Sequence, residues 1–371
     1  MNELEYQIGL TLINGIGPVL ARNLVAYVGS ARELFEASSS VLIKIPGIGN
    51  SLVDAIKSAK VLELAKRECD FMAKNGIVPI YFTSTNYPRK LSYCDDAPLM
   101  IYVKGNMDLN TGKFLSIVGT RNVTFEGKSN CEKIITTLAS KYPELVIVSG
   151  LAYGVDVVAH KTAVQCGVKT IACLGHGLDR VYPYLHGGIA KDIVNNGALL
   201  TEYVSNTQPD KFNFVKRNRI IAGLSEGVLV VESGEKGGSL ISAKLAADYN
   251  REVMAIPGRP SDLMSRGCND LIKANIAALV HDEADVEFQL GWESKEQKRV
   301  PQQLNLFSNL QTDDERMVYS VLEQHKELDV NQLAILSNLP IYKVTPMLLS
   351  FEFDGIVKTL PGNCVKFVGQ R

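Results

Sequence analysis

Four short stretches of this 371-residue chain combine residue types that can hold an anion. Val118-Gly119-Thr120-Arg121 follows an apolar run. Glycine there lets the backbone approach a ligand, and an arginine at a strand's carboxyl end points into the crevice where open α/β sheets bind ligands. A surface salt bridge is the other role open to Arg121. Ser149-Gly150-Leu151-Ala152-Tyr153-Gly154-Val155-Asp156 and Glu232-Ser233-Gly234-Glu235-Lys236-Gly237-Gly238-Ser239 each sit between an apolar run and a helical segment. Glycines before a helix N-terminus offer free N–H groups to phosphate, so Gly150, Gly238 and Ser239 are candidate anion contacts. The first of these two loops has G-x-x-x-G spacing, without an acidic ribose ligand twenty residues on, which disfavours a dinucleotide. The second has no Lys-Ser or Lys-Thr after its last glycine and is no ATP-hydrolysing loop.

The fourth stretch, Lys211-Phe212-Asn213-Phe214-Val215-Lys216-Arg217-Asn218-Arg219, holds four cations and no carboxylate. Basic side chains interleaved with aromatics suit phosphate neutralisation with base stacking on a single strand, which makes Lys216, Arg217, Asn218 and Arg219 candidates. The alternative is a solvated helix start with Phe214 in the core and the Asn218 amide fixing a loop. His160, His176 and His186 stand beside glycine turns and read as structural hydrogen-bonders. No Ser-His-Asp or Cys-His arrangement emerges. Glu202 and Glu232, at strand ends, are the acid/base candidates, or else cap helices and orient Arg121 and the 216–219 cations.

These loops need a rigid frame. From 114 to about 281, apolar runs of four to seven residues alternate with helical segments: Phe114 to Val118, Leu145 to Val148, Thr170 to Leu174, Ala198 to Thr201, Val228 to Val231 and Val253 to Ile256. Continuous apolar strands separated by helices predict a parallel sheet covered on both faces. Residues 1–77 carry helical periodicity with two similar turns, Gly15-Ile16-Gly17-Pro18 and Pro46-Gly47-Ile48-Gly49, which resemble helix-hairpin-helix turns or serve as plain tight helix connections. Residues 286–312 are rich in Gln, Asn, Ser and charge and read as a linker. Residues 313–371 read as three helices and two strands, Gly355 to Leu360 and Cys364 to Val368 around Pro361-Gly362-Asn363, the order of a winged helix. Its second helix-turn-helix segment, Ile341 to Phe353, offers only Lys343 and Thr345 to base edges, so protein docking is an equal reading there.

A net charge of -1 supplies no global attraction to nucleic acid, so any DNA site must come from local clustering. Seven scattered cysteines without a C-x-x-C pair predict reduced thiols and no metal site or cofactor. Without a signal-peptide pattern or a long apolar run, a cytoplasmic protein with no membrane partner is expected.

The ordered blocks resemble the DNA processing protein A (DprA or Smf) family. They are Val118 through Arg121; Ser149 through Asp156 with Ala159-His160; Thr170 through Gly177 with Leu178-Asp179 and Tyr182-Pro183; Arg217 through Ser225; Val230-Val231-Glu232 with Lys236 through Ser242; and Ala255 through Gly258 with Gly267 through Ile272. The resemblance covers about residues 78–282 and implies an extended Rossmann-like domain, taken as 78–285, flanked by the helical and winged-helix units. It further implies sequence-independent binding of single-stranded DNA, homodimerisation, protection of incoming DNA and assistance in RecA loading during natural transformation, with no reaction catalysed. The DNA-gripping role falls on Arg121, Arg217, Arg219 and the Gly238-Ser239 turn; Lys216 is added on charge. Val215 stands where the family pattern has Pro, and Gly237 where it has Ser. The rival is a Rossmann-fold nucleotide phosphoribohydrolase, but Lys236-Gly237-Gly238-Ser239-Leu240 lacks the Pro-Gly-Gly-x-Gly-Thr run of that class.

Overall fold

A computed structural model describes residues 1–292, 312–360 and 364–368. The chain divides into two compact units, residues 1–293 and 294–371. In the first, nine strands form one sheet: β1 (Val78–Tyr81), β2 (Met100–Gly105), β3 (Lys113–Val118), β4 (Leu145–Ser149), β5 (Lys169–Leu174), β6 (Gly197–Thr201), β7 (Gly227–Val230), β8 (Glu252–Ala255) and β9 (Ala278–Leu279). Their order is β1-β2-β6-β5-β4-β3-β7-β8-β9. Every pairing from β6 through β9 is parallel, whereas β1 and β2 join antiparallel at one edge. The six expected apolar runs are β3 to β8; β1 and β2 fall in residues 78–105, which read as short strand-like and turn segments, and join the same sheet at its edge, while the two-residue β9 is an addition.

The pleat sends alternate residues to opposite faces. Leu115, Ile117 and Ile147 pack under the helices Phe125–Lys141 and Val155–Gln165. Phe114, Val118, Val146 and Val148 pack under Lys211–Leu224 and Ser239–Asp248. With both faces covered, β4 is buried at all five positions, and this is why its sequence is apolar throughout. Strand order reverses at β3, which has β4 on one side and β7 on the other. The loops leaving these carboxyl ends therefore part from one another and leave a crevice.

Residues 1–75 form six helices. Gly15 and Gly47 both adopt φ +87°, a left-handed conformation that costs glycine little. A Cβ at Gly15 would meet Leu52, and one at Gly47 would meet Leu20, so each hairpin turn leans on the helix that follows the other. The core of these helices runs on without a break into Tyr81, Leu99, Met100 and Tyr102 of the sheet edge. Residues 1–77, expected as a separate domain, are thus fused to the sheet by a shared core.

The expected linker also needs correction at its start. Glu283–Leu290 is a helix, Val286 and Trp292 are buried, and the Trp292 indole donates to Glu226 at 2.6 Å. Two well-placed apolar anchors outweigh the polar composition around them. Residues 293–311 of that linker lie outside the described residues, and its last residue, Thr312, caps the helix that follows.

The second unit packs helices Asp313–His325, Val330–Leu336 and Ile341–Phe353 against a three-stranded sheet, β10 (Glu327–Asp329), β11 (Val357–Leu360) and β12 (Cys364–Phe367), in the order β10-β12-β11. The expected turn 361–363 lies outside the described residues, and β10 is an addition to the expected pattern. Among the described residues, no single helix is long and apolar enough to cross a membrane.

Candidate nucleic-acid interface

The loops after β3, β4 and β7, with the first turns of the Lys211–Leu224 and Ser239–Asp248 helices, enclose a crevice of about 840 Å³. Five cationic side chains line it, Arg121, Lys211, Arg217, Lys236 and Lys244, against the carboxylates Asp156 and Glu235. The loops are held from behind. Thr120 N–H donates to the Glu232 carbonyl at 2.7 Å and Val155 N–H to the Thr120 carbonyl at 3.2 Å. Gly154, at φ +75°, passes so close to the backbone of Thr120 and Arg121 that a Cβ would collide with it. Arg121 itself is exposed, and among the described residues its guanidinium makes no hydrogen bond or ion pair, which leaves it an open cation at the rim.

Arg217 plays a different part. It is 5% exposed, forms the crevice floor and donates from Nη1 to the Cys173 carbonyl, while Nε has no hydrogen-bond partner. Burial lowers its pKa, and the buried Asp156 carboxylate opposes that shift. Burial likewise raises Asp156, with Arg217 pulling it back down. A Cβ on Gly150 would land on the Arg217 guanidinium. The glycine expected to offer its N–H to phosphate is therefore required to let this arginine pass beneath the loop.

Arg217 and Arg219 do not share one crevice, and neither opens the helix, which starts at Lys211. Residues two apart lie on nearly opposite sides of a helix. Arg219 instead turns to Glu202 at 2.5 Å and Asp96 at 3.9 Å. Lys216 also reaches Glu202, at 3.5 Å, and lies over the Tyr203 ring. Asn218 does line the crevice, with its amide donating to the Gly238 carbonyl at 3.4 Å, the loop-fixing role. The Ser239 hydroxyl donates a hydrogen bond to Ser233 Oγ at 2.9 Å, and Gly238 stands exposed at the head of the helix. Phe214 lines the crevice and stacks on Tyr182, centroids 5.5 Å apart. Tyr182 and Lys244 were missed at the sequence level. The three-residue step from Ile241 to Lys244, which puts both on one helix face, is the signal that finds Lys244.

The acid/base candidates are committed to structure. Glu232 accepts from the Thr124 N–H at 2.8 Å, holding the start of the helix after Arg121. Glu202 serves the Arg219 and Lys216 cations. His160 sits 2.7 Å from Thr170 Oγ1, and burial pushes its pKa down to about 3. His186 donates to the Leu151 carbonyl at 2.8 Å and His176 to that of Gly177 at 2.9 Å. All three act as structural hydrogen-bonders.

A model of the family described as DNA recombination-mediator protein A matches residues 79–290, the span that contains every loop of the crevice. The chain belongs to that family. A SAM-like helix-hairpin-helix tandem matches residues 8–59, and a DprA winged helix domain matches 298–363. Among members of the family, Protein Smf of Synechocystis is 30% identical over 97% of this chain and 98% of its own length. DNA processing protein DprA of Streptococcus pneumoniae is 45% identical over 54% of this chain and 70% of its own. The solved structure of the pneumococcal protein aligns with a TM-score of 0.62 at 34% identity, over 77% of this chain and 98% of that one. That of DNA processing protein A from Helicobacter pylori, described for its single-stranded DNA binding mode, aligns with a TM-score of 0.53 at 29% identity, over 58% and 96%.

Proposed function

We propose that this DprA-type DNA processing protein grips single-stranded DNA in the crevice by its phosphates, without reading sequence. The observation that carries this reading is the convergence of Arg121, Lys211, Arg217, Lys236 and Lys244 on one concave surface of a chain whose net charge is only -1. Phosphate neutralisation is independent of sequence. The Tyr182 and Phe214 rings in the same walls suit unpaired bases, which have free π-faces. Arg121 is the open grip and Arg217 the floor that a phosphate meets. Asn218, Gly238 and Ser239 shape the turn, with Gly150 giving Arg217 its space. Lys216 and Arg219 serve from the neighbouring side of the helix.

Delivery of the strand to RecA, protection of incoming DNA in natural transformation, homodimerisation and a cytoplasmic site of action complete the proposal. They rest on the family's description as a recombination mediator and on its resemblance to this chain. The role is that of a carrier with no reaction of its own, since the histidines and carboxylates beside the crevice are engaged in holding its loops.

Titration of the full chain with labelled single and double strands at two salt concentrations tests the site. Tight single-strand binding whose log affinity falls with log salt is expected. Affinity that ignores salt, or that favours duplex, refutes it. RecA filament formation on pre-coated strands, with and without the protein, tests delivery.

A further inference from the structure

Beside the crevice lies a second hollow of about 400 Å³, lined by Pro18, Phe212, Val215, Ile241 and Leu245, with Lys216, Arg219 and Asp96 among them. Val215 and Ile241 line both cavities and form the ridge between them. We propose that this hollow receives one nucleobase of the strand held in the crevice, stacked on Phe212, and so carries the strand toward the first hairpin turn. The proposal rests on the single-strand reading of the crevice.

Four observations point to a base. Phe212 is 72% exposed on the wall of the hollow, and its backbone is pinned by the Asp210 side chain, which accepts from Phe212 N–H at 2.7 Å. A flat ring held open at a cavity wall is what base stacking requires. Arg219 is 5% exposed yet leaves Nη1 without a partner, so the hollow has an unspent buried donor in its lining. An apolar protein side chain would remove water from Lys216 and Arg219 and return no acceptor, whereas a base supplies both an apolar face and acceptor atoms. Finally, Pro18 begins the helix that follows the Gly15-Ile16-Gly17 turn, so the hollow joins the wall of the basic crevice to a helix-hairpin-helix turn, and free N–H groups at a helix N-terminus suit a phosphate. The volume is within the range of small-ligand sites.

The test uses the full chain with single-stranded oligonucleotides carrying one 2-aminopurine, or one abasic site, at successive positions. At one position 2-aminopurine should be quenched on binding, and an abasic site there should weaken the wild type by about tenfold. Phe212→Ala should abolish that quench and lose about tenfold, with no further loss from the abasic site and an unchanged salt slope. Phe212→Tyr should restore both. Equal abasic effects at every position, or an alanine variant that binds and quenches as wild type does, overturn the hollow as a base site. A wild type that binds no single strand overturns the crevice reading instead, and this shows before any variant is made. If the alanine variant fails to fold, the abasic scan on the wild type and the tyrosine variant still decide the question.

Discussion

Arg121 and Arg217 look equivalent as letters but differ in what surrounds them, and their substitutions should differ in kind. Arg121 is exposed at the rim, so Arg121→Ala should leave thermal unfolding unchanged. It should weaken all single strands alike and flatten the log-affinity against log-salt plot by about 0.7, as one lost phosphate contact does. Arg217 is buried against the Cys173 carbonyl and acts electrostatically on Asp156. Arg217→Ala should therefore destabilise the fold, because it removes a buried side chain with its bond to the Cys173 carbonyl and the positive charge that favours the Asp156 carboxylate. Adding Asp156→Asn should recover part of that loss in a denaturant titration, and failure to recover any would show that the two groups are uncoupled. His160 gives a pH prediction. Its folded pKa is lowered to about 3, so the folded protein keeps it neutral while the unfolded chain takes up a proton. Stability is then fully present above the ordinary histidine value and is lost as pH falls toward 3, with a slope of up to about 1.4 kcal/mol per pH unit. His176, also lowered by burial, adds in the same direction. Unfolding of His160→Gln between pH 5 and 6.5 should show a shallower slope than wild type.

At the scale of elements, the segment joining β3 to the Phe125–Lys141 helix has to stay still for Arg121 to face the crevice. Thr124 caps that helix by accepting from the Gly127 N–H at 3.0 Å, and Glu232 takes the Thr124 N–H from across the switch point. Thr124→Ala should cost about 1 kcal/mol of stability, the usual worth of such a cap. Glu232→Ala frees the loop from β7. It should weaken DNA binding severalfold without touching DNA, while circular dichroism shows an unchanged helix content. Binding at wild-type strength would mean that the Gly154 packing alone positions Arg121. In the winged unit, Lys343 pairs with Asp314 at 3.1 Å and Thr345 bonds the Ile341 carbonyl at 3.0 Å. The two side chains best able to read bases are thus occupied, and Tyr342 and Phe353 are left exposed on the same helix.

For the whole molecule, the shared core between the N-terminal helices and the sheet edge makes the two truncations unequal. Removing residues 1–77 would uncover Tyr81, Leu99, Met100 and Tyr102, all nearly fully buried. The remaining chain should aggregate or bind a hydrophobic dye where the full chain does not. Removing residues 312–371 leaves the first unit's clusters whole. Single-strand affinity should then stay within about tenfold, or 1.4 kcal/mol. A larger loss would show that the winged unit shares the strand.

Local patterns already carried the parallel sheet, because strands buried on both faces must be apolar at every position, as in Leu145 to Ser149. They carried the glycine-rich turns too, since those sit where such strands give way to helices. Burial of cations had no such local mark. Arg217 and Arg219 sit in one basic stretch, and a helical period separates them, but which one faces the crevice depends on how the Lys211–Leu224 helix is rotated on the sheet. The role of Gly150 depends on a side chain 67 positions away, as its number and that of Arg217 show. The edge strands Val78–Tyr81 and Met100–Gly105 gain their place from a core shared with residues 1–77. Such choices are made by packing between distant segments, whose energy no window of neighbouring residues contains.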